Sequence, residues 1–436
     1  MIYRFLCLTL GVVCGMTAWG QNDWTGASPE LVSPARFFQD DEGLGIELST
    51  PDSLGTWTGT VPVKPGRGCR ITGMAELRGL PDVGNDCMMM VSWFAPEKKN
   101  PVQRDYVDFT DEASTRRFDQ TFTVPEGCRT LRLECFLKWR AGTVVFRNIQ
   151  VAETEPLQPR NVCLVVANPF PSTPRTLEGN LQAMEETLRN IFAKVPSPDL
   201  ILFAECFTDS GTGKSIRETA EKLPGGPTFQ LFSRYAREHR VWIVGNVHEV
   251  SESGTFHNTS FLVNREGDLA GIYRKVHLTS SEFQKGVLPG RELPVFETDF
   301  GKVGIVTCWD NWFSETAKVL RRKGAELLLF PLAGDAKESH WGKIWSARAI
   351  DTSLPMLVAV QQSHLPAAII DRDGEWLAET RERNGFVQAT LDLTERKRSF
   401  WLSVGPSLGD PYQLYLHESR PQAYQGWESP KSPRGK

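Results

Sequence analysis

At 436 residues the chain is longer than one typical domain and sets an expectation of two or three. Its composition, 40% hydrophobic and 23% charged, is that of an ordinary globular protein. A net charge of −4 gives no electrostatic footing for nucleic acid or an anionic membrane surface, so neither is expected as a partner.

The first residues carry a targeting pattern. Arg4 supplies a positive charge, Phe5 to Ala18 run almost wholly apolar, and Ala18-Trp19-Gly20 puts small residues before Gln21. That order predicts a secretory signal over residues 1–20, with export to a secreted or periplasmic location. The run is short for a bilayer span, which needs about 20 residues.

Residues 22–155 read as an all-β domain. Short alternating runs such as Gly55 to Val63, Cys69 to Leu77, Met88 to Phe94 and Phe118 to Val124 are separated by Gly, Pro and Asp clusters, and Thr130 to Phe136 and Gly142 to Val151 repeat the pattern. No helical period intervenes, which favours a sandwich. Cys69, Cys87, Cys128 and Cys135 are an even set that permits two disulfides in an exported segment, with the pairing open. Trp57, Trp93 and Trp139 either bind a glycan or pack in the core. Core packing is the favoured reading, because aromatics on sandwich strands are usually buried.

Residues 156–160 form a proline-containing linker, and beyond them strands alternate with helices. Val162 to Ala167, Leu200 to Phe203 and Val241 to Val247 read as buried strands, and Leu177 to Val195 and Thr228 to His239 as amphipathic helices. Two half-buried strands, Ser260 to Val263 and Leu269 to Tyr273, follow. Val303 to Thr307, Leu327 to Phe330 and Met356 to Val360 then alternate with helices near Glu315 to Lys323 and Trp341 to Ile350. This implies an α/β layer fold over residues 161–396. From Lys397 the pattern fades, so 397–436 reads as an extension, with Pro421 to Lys436 a disordered tail.

Three residues at strand ends attract chemistry. Cys308 closes the apolar strand Val303-Gly304-Ile305-Val306-Thr307, where α/β sheets present ligands, and a following helix N-terminus favours the nucleophilic thiolate. Glu205 ends Leu200-Ile201-Leu202-Phe203-Ala204, a position suited to a general base. Cys206 follows it, but strand neighbours point to opposite faces, so only one of the two serves the site. Lys275 sits where a half-buried strand becomes a loop. Each residue alone has a plain alternative: a buried structural thiol, a solvent-facing acid, a solvated lysine. Together they supply what amide hydrolysis demands: a nucleophile, a proton acceptor and a cation for the oxyanion. No CxxC, HExxH or similar spacing is present, so no metal site is expected.

The blocks Leu202-Phe203-Ala204-Glu205, Tyr273-Arg274-Lys275-Val276-His277-Leu278 and Gly304-Ile305-Val306-Thr307-Cys308-Trp309-Asp310 resemble the signature blocks of the nitrilase, or carbon–nitrogen hydrolase, superfamily, in that family's order. His257-Asn258-Thr259-Ser260, Gly290, Gly324 through Pro331, and Arg348-Ala349 extend the resemblance across about Asn161 to Leu393. It implies a four-layer α-β-β-α sandwich preceded by the β-sandwich, whose last strands resemble carbohydrate-binding jelly rolls. It also implies a catalytic triad of Glu205, Lys275 and Cys308. Glu282, in Ser280-Ser281-Glu282-Phe283, matches the family's second glutamate, for which a solvated surface acid is the plain alternative. The Trp309 N–H joins Lys275 as oxyanion donor. No cofactor is implied, and homo-oligomers are common in the family.

Cys308-Trp309-Asp310-Asn311-Trp312-Phe313-Ser314-Glu315 is most similar to the amidase and carbamoylase branches, with Ser314 in place of the usual proline. The implied activity is a secreted hydrolase cleaving a non-peptide amide or N-carbamoyl bond in a small molecule through a thioester. The alternatives are an acyltransferase using the same thioester, a silent binding protein, or a Cys–His peptidase with His340 or His277 as base.

Overall fold

In the computed structural model, which describes residues 16–18, 24–40, 43–80, 84–112, 114–171, 173–334, 340–361 and 365–424, the chain divides into two units. One is Met1–Gln158 with Arg398–Lys436; the other is Pro159–Lys397. Most of the expected signal segment lies outside the described residues, although Met16–Ala18 forms an edge strand on Gly142–Thr154. Among the described residues, no helix is long and apolar enough to cross a membrane.

The first unit is built from two antiparallel-rich sheets whose inner faces share one core, including Ile46, Trp57, Ile71, Trp93, Leu133 and Phe146. Trp57 and Trp93 are buried, and their indole N–H groups donate to Gly45 O at 3.0 Å and Asp105 Oδ2 at 2.7 Å. Trp139 is 38% exposed, and Lys138 and Arg420 each lie 4.4 Å from its ring centre. Cys69, Cys128 and Cys135 are buried as free thiols, so neither permitted disulfide forms, and Cys87 is buried in the same core. Burial alone pushes the Cys69 thiol up to about 12.

The segment after Lys397 departs from its expected character. The strand Cys87–Phe94 is buried at every position, which a one-sided sheet cannot achieve. Cys87, Met89, Val91 and Trp93 enter the sandwich core, whereas Met88 and Met90 point outward and are covered by Val404, Leu414 and Tyr106. The cover is the C-terminal segment itself. Its strand Leu408–Gly409 extends the sheet beside Gln103–Val107. Its helix Pro411–His417 brings Gln413, whose amide accepts from Tyr106 N at 3.0 Å and donates to Tyr106 O at 2.7 Å, substituting for a strand partner. Of the tail, residues 425–436 lie outside the described residues, while Pro421–Tyr424 forms a short 3-10 turn. These pieces are too short to carry a period, and their partners lie some three hundred residues away, so no local pattern announces them.

The second unit holds two six-stranded sheets. In the first, Asn161–Asn168, Leu200–Leu202 and Trp242–Val250 run parallel at the centre, with Phe256–Val263 and Leu269–Arg274 antiparallel beyond. In the second, Gly301–Ile305, Leu327–Leu332 and Met356–Val360 form the parallel centre. The sheets face each other, Asn161–Asn168 against Met356–Val360 and Ala367–Ile370. Burial on both faces explains the continuous apolar runs Leu200–Leu202 and Leu327–Leu332. Helices Leu177–Lys194 and Pro227–His239 cover the first sheet, and Ser314–Arg322 and Trp341–Thr352 the second. Leu177–Lys194 is capped by Thr176, whose hydroxyl accepts from Gly179 N at 3.0 Å, and it buries Ala183, Met184, Leu188 and Ile191 along one stripe.

Candidate active site

Each sheet delivers reactive groups where its strands end. Glu205 follows the central strand Leu200–Leu202, and Lys275 follows the edge strand Leu269–Arg274 of the same sheet. Cys308 follows Gly301–Ile305 of the other. The backbone at Lys275 is held on both sides: its N–H donates to Asn258 O at 2.9 Å, and its carbonyl accepts from Gly290 N at 2.8 Å. Gly290 must be glycine, since a Cβ there would stand 2.0 Å from Arg274 O.

Glu205, Lys275 and Glu282 form one buried cluster. Lys275 is 1% exposed and its ammonium donates to Glu205 Oε1 at 2.8 Å and to both Glu282 oxygens at 3.0 and 3.1 Å. Asn258 Nδ2 bridges the same carboxylates, at 2.8 Å from Glu205 and 2.7 Å from Glu282. The second Glu205 oxygen accepts from Ala333 N at 2.7 Å. Glu282 is also the reciprocal acceptor of Thr279 in a capping box, so it is not a solvated surface acid.

Cys308 starts a 3-10 turn with φ 48°, a left-handed conformation uncommon outside glycine, held because its surroundings over-determine it. Thr307 and Asp310 cap the turn reciprocally. Fully buried Asp310 also accepts from Tyr273 OH at 2.6 Å and His277 N at 2.8 Å. Arg348 donates to Asn311 O at 3.0 Å, bracing the turn from helix Trp341–Thr352. The Trp309 N–H lies in the first turn, ahead of the first N–H that bonds back, Asp310 to Thr307 O.

Burial and neighbouring charges displace the pKa values of Cys308, Lys275 and Glu282. Burial pushes the Cys308 thiol well above its ordinary range, and the Glu205 charge and a hydrogen bond to Glu205 add to it, against the opposing pull of Lys275. Burial opposes the Lys275 charge, yet the carboxylates of Glu205 and Glu282 outweigh it and push the ammonium's pKa well above its ordinary range. Burial likewise works against the Glu282 carboxylate, and Lys275, the Thr279 N–H and Asn258 overcome it and lower its pKa. A third anion beside two carboxylates and one ammonium is unfavourable, which favours the neutral thiol.

His277 Nδ1 is 2.9 Å from Asp310 Oδ1 and its ring stacks on Phe313, whereas the Cys308 thiol has its hydrogen bond with Glu205. His340 immediately precedes helix Trp341–Thr352. Asn258 lies in one of the supporting blocks with no role legible from sequence, and no local signal marks Ala333 or Gln361. Gln361 Nε2 donates to the carbonyls of Glu205 and Cys206 at 3.0 and 3.1 Å.

Comparison with known proteins agrees with this architecture. The family described as carbon–nitrogen hydrolase matches residues 162–398. The chain belongs to the carbon–nitrogen hydrolase family. It is accordingly a hydrolase of carbon–nitrogen bonds other than peptide bonds. A probable nitrilase of Schizosaccharomyces pombe is 30% identical over 58% of this chain and 93% of its own. An omega-amidase of Danio rerio is 30% identical over 44% of this chain and 76% of its own. An amidase of Nesterenkonia sp. superposes with a TM-score of 0.51 at 17% identity, covering 62% of this chain and 98% of its own, a likeness that speaks to the fold alone.

Proposed function

We propose that this carbon–nitrogen hydrolase is an amidase that cleaves a small-molecule amide or N-carbamoyl bond through a Cys308 thioester. The observation that carries the reading is the Lys275 ammonium bridging Glu205 and Glu282 beside a thiol hydrogen-bonded to Glu205. Relatives named as omega-amidases support an amide over a nitrile.

Glu205 accepts the thiol proton as Cys308 Sγ bonds to the carbonyl carbon. Lys275 and the Trp309 N–H stabilise the resulting oxyanion. Glu205 returns the proton to nitrogen, the C–N bond breaks, and ammonia or an amine leaves a thioester. Glu205 then takes a proton from water, whose oxygen attacks the thioester, and returns that proton to sulfur as the acid leaves. Glu282 keeps Lys275 charged and in place throughout. The reading extends to export after removal of residues 1–20, which N-terminal sequencing of the protein from its native host would test.

Release of ammonia from primary amides and N-carbamoyl compounds, compared between the protein and Cys308→Ala, tests the activity. Release that disappears in the variant supports the amidase. Release that survives the substitution, or its absence across the panel with a folded protein, counts against it.

A further inference from the structure

Cys206 and its neighbours lie outside the machinery just described. The residue has φ 43°, again left-handed, and its side chain meets Asn246 and His248 of the adjacent strand Trp242–Val250. Its Sγ lies 3.8 Å from His248 Nε2, and His248 Nδ1 lies 2.6 Å from Asp209 Oδ2. Thr219 Oγ1 donates to the same Asp209 oxygen at 3.2 Å. Cys206 is buried, while the His248 and Asp209 side chains keep 14% and 16% exposure, so the group is reachable from solvent.

We propose that Cys206, His248 and Asp209 form a binding site for a borderline-soft divalent cation of the zinc type. Thiolate sulfur and imidazole nitrogen are the donors such ions select over the oxygen-only sets that suit magnesium or calcium. With metal–sulfur and metal–nitrogen bonds of about 2.3 and 2.05 Å, donors on a tetrahedral ion stand about 3.6 Å apart. The observed 3.8 Å separation is close to that spacing, so the ion enters with little movement of either side chain. Asp209 does what metal sites require of the far ring nitrogen: it holds the proton on Nδ1 and directs the Nε2 lone pair at the ion. On binding, Cys206 Sγ loses its proton to solvent and forms the metal–sulfur bond. Thiolate and Asp209 together offset the dication, and water completes the shell. The site sits one residue from Glu205 but is independent of the amidase reading, because its ligands are not used there.

The sequence expectation of no metal site rested on spacing alone. Here the ligands come from a turn and a neighbouring strand, with no motif between them.

Cobalt(II) titration of the full-length Cys308→Ser protein tests the proposal, since that background removes the thiol of the candidate active site as a competing ligand. The expected result is one equivalent of cobalt, with a near-ultraviolet thiolate-to-cobalt charge-transfer band and the strong visible bands of a tetrahedral ion, displaced by zinc. Cys206→Ser should abolish the charge-transfer band. His248→Gln and Asp209→Asn should each weaken binding, by about 10- to 100-fold for the latter. Both leave the thiol in place and cover the case in which Cys206→Ser fails to fold. Absence of the charge-transfer band in Cys308→Ser, or its persistence unchanged in folded Cys206→Ser or His248→Gln, overturns the assignment.

Discussion

Replacing Glu205 with glutamine separates the two things this carboxylate does. It accepts from Lys275 Nζ and Asn258 Nδ2 on one oxygen and from Ala333 N–H on the other, and it takes the thiol's hydrogen bond. Glutamine has one acceptor oxygen. If that oxygen keeps the Lys275 side, its NH2 faces the Ala333 N–H, leaving a donor unpaired at a cost of about 1–3 kcal/mol in stability. Catalytically, loss of the general base removes about 10²- to 10⁴-fold in turnover, equivalent to about 3–5 kcal/mol of barrier. The thiol responds the other way. After burial, Glu205 is the strongest influence raising its pKa, while Lys275 lowers it. Glu205→Gln should therefore move the pH midpoint of Cys308 alkylation by iodoacetamide downward while amide turnover collapses. Steady-state ammonia release and alkylation rates measured across pH read the two effects separately. Turnover within tenfold of the parent would refute the base assignment, and a midpoint displaced upward would refute the charge reasoning.

Lys275→Met leaves Glu205 and Glu282 facing each other without their shared cation, and should cost about 3–5 kcal/mol in urea unfolding as well as activity. Adding Glu205→Gln to it should recover part of that stability, and strict additivity would argue against the coupling. Asn258→Ala withdraws the donor common to both carboxylates, and a fall in kcat/KM of at least tenfold is expected with little change in KM. An unchanged kcat would remove Asn258 from the positioning role. For Glu249, burial works against the charge, but Arg274 and Thr259 outweigh it and lower the carboxylate's pKa. Its contribution is complete above the ordinary glutamate range and is lost as pH falls through the lowered folded value. Arg274→Met should thus shrink the stability lost between neutral and acidic pH; an identical pH profile in the two proteins would contradict this.

The local sequence determined the kinds of element and pointed to the candidate site residues. Period two before Pro156 and mixed strand–helix periods after it are written in consecutive residues, because a side chain's face depends only on its neighbours along the strand or helix. Glu205 and Cys308 became candidates because each closes an apolar strand, where an α/β sheet presents ligands, whereas Lys275, after a half-buried strand, became one only in their company and in its signature block. Tertiary structure alone decided what those residues meet. That Asn258 touches two carboxylates depends on which strands are adjacent, and a hydrogen bond across 53 positions leaves no local trace. The upward displacement of the thiol's pKa reflects burial and charge from separate elements. The cover over Met88 and Met90 was foreshadowed by an apolar run with no polar face, yet nothing local named the C-terminal segment as its source. Long-range partners are chosen by complementary surfaces that exist only once the chain is folded, so the chemistry was readable in advance and its control was not.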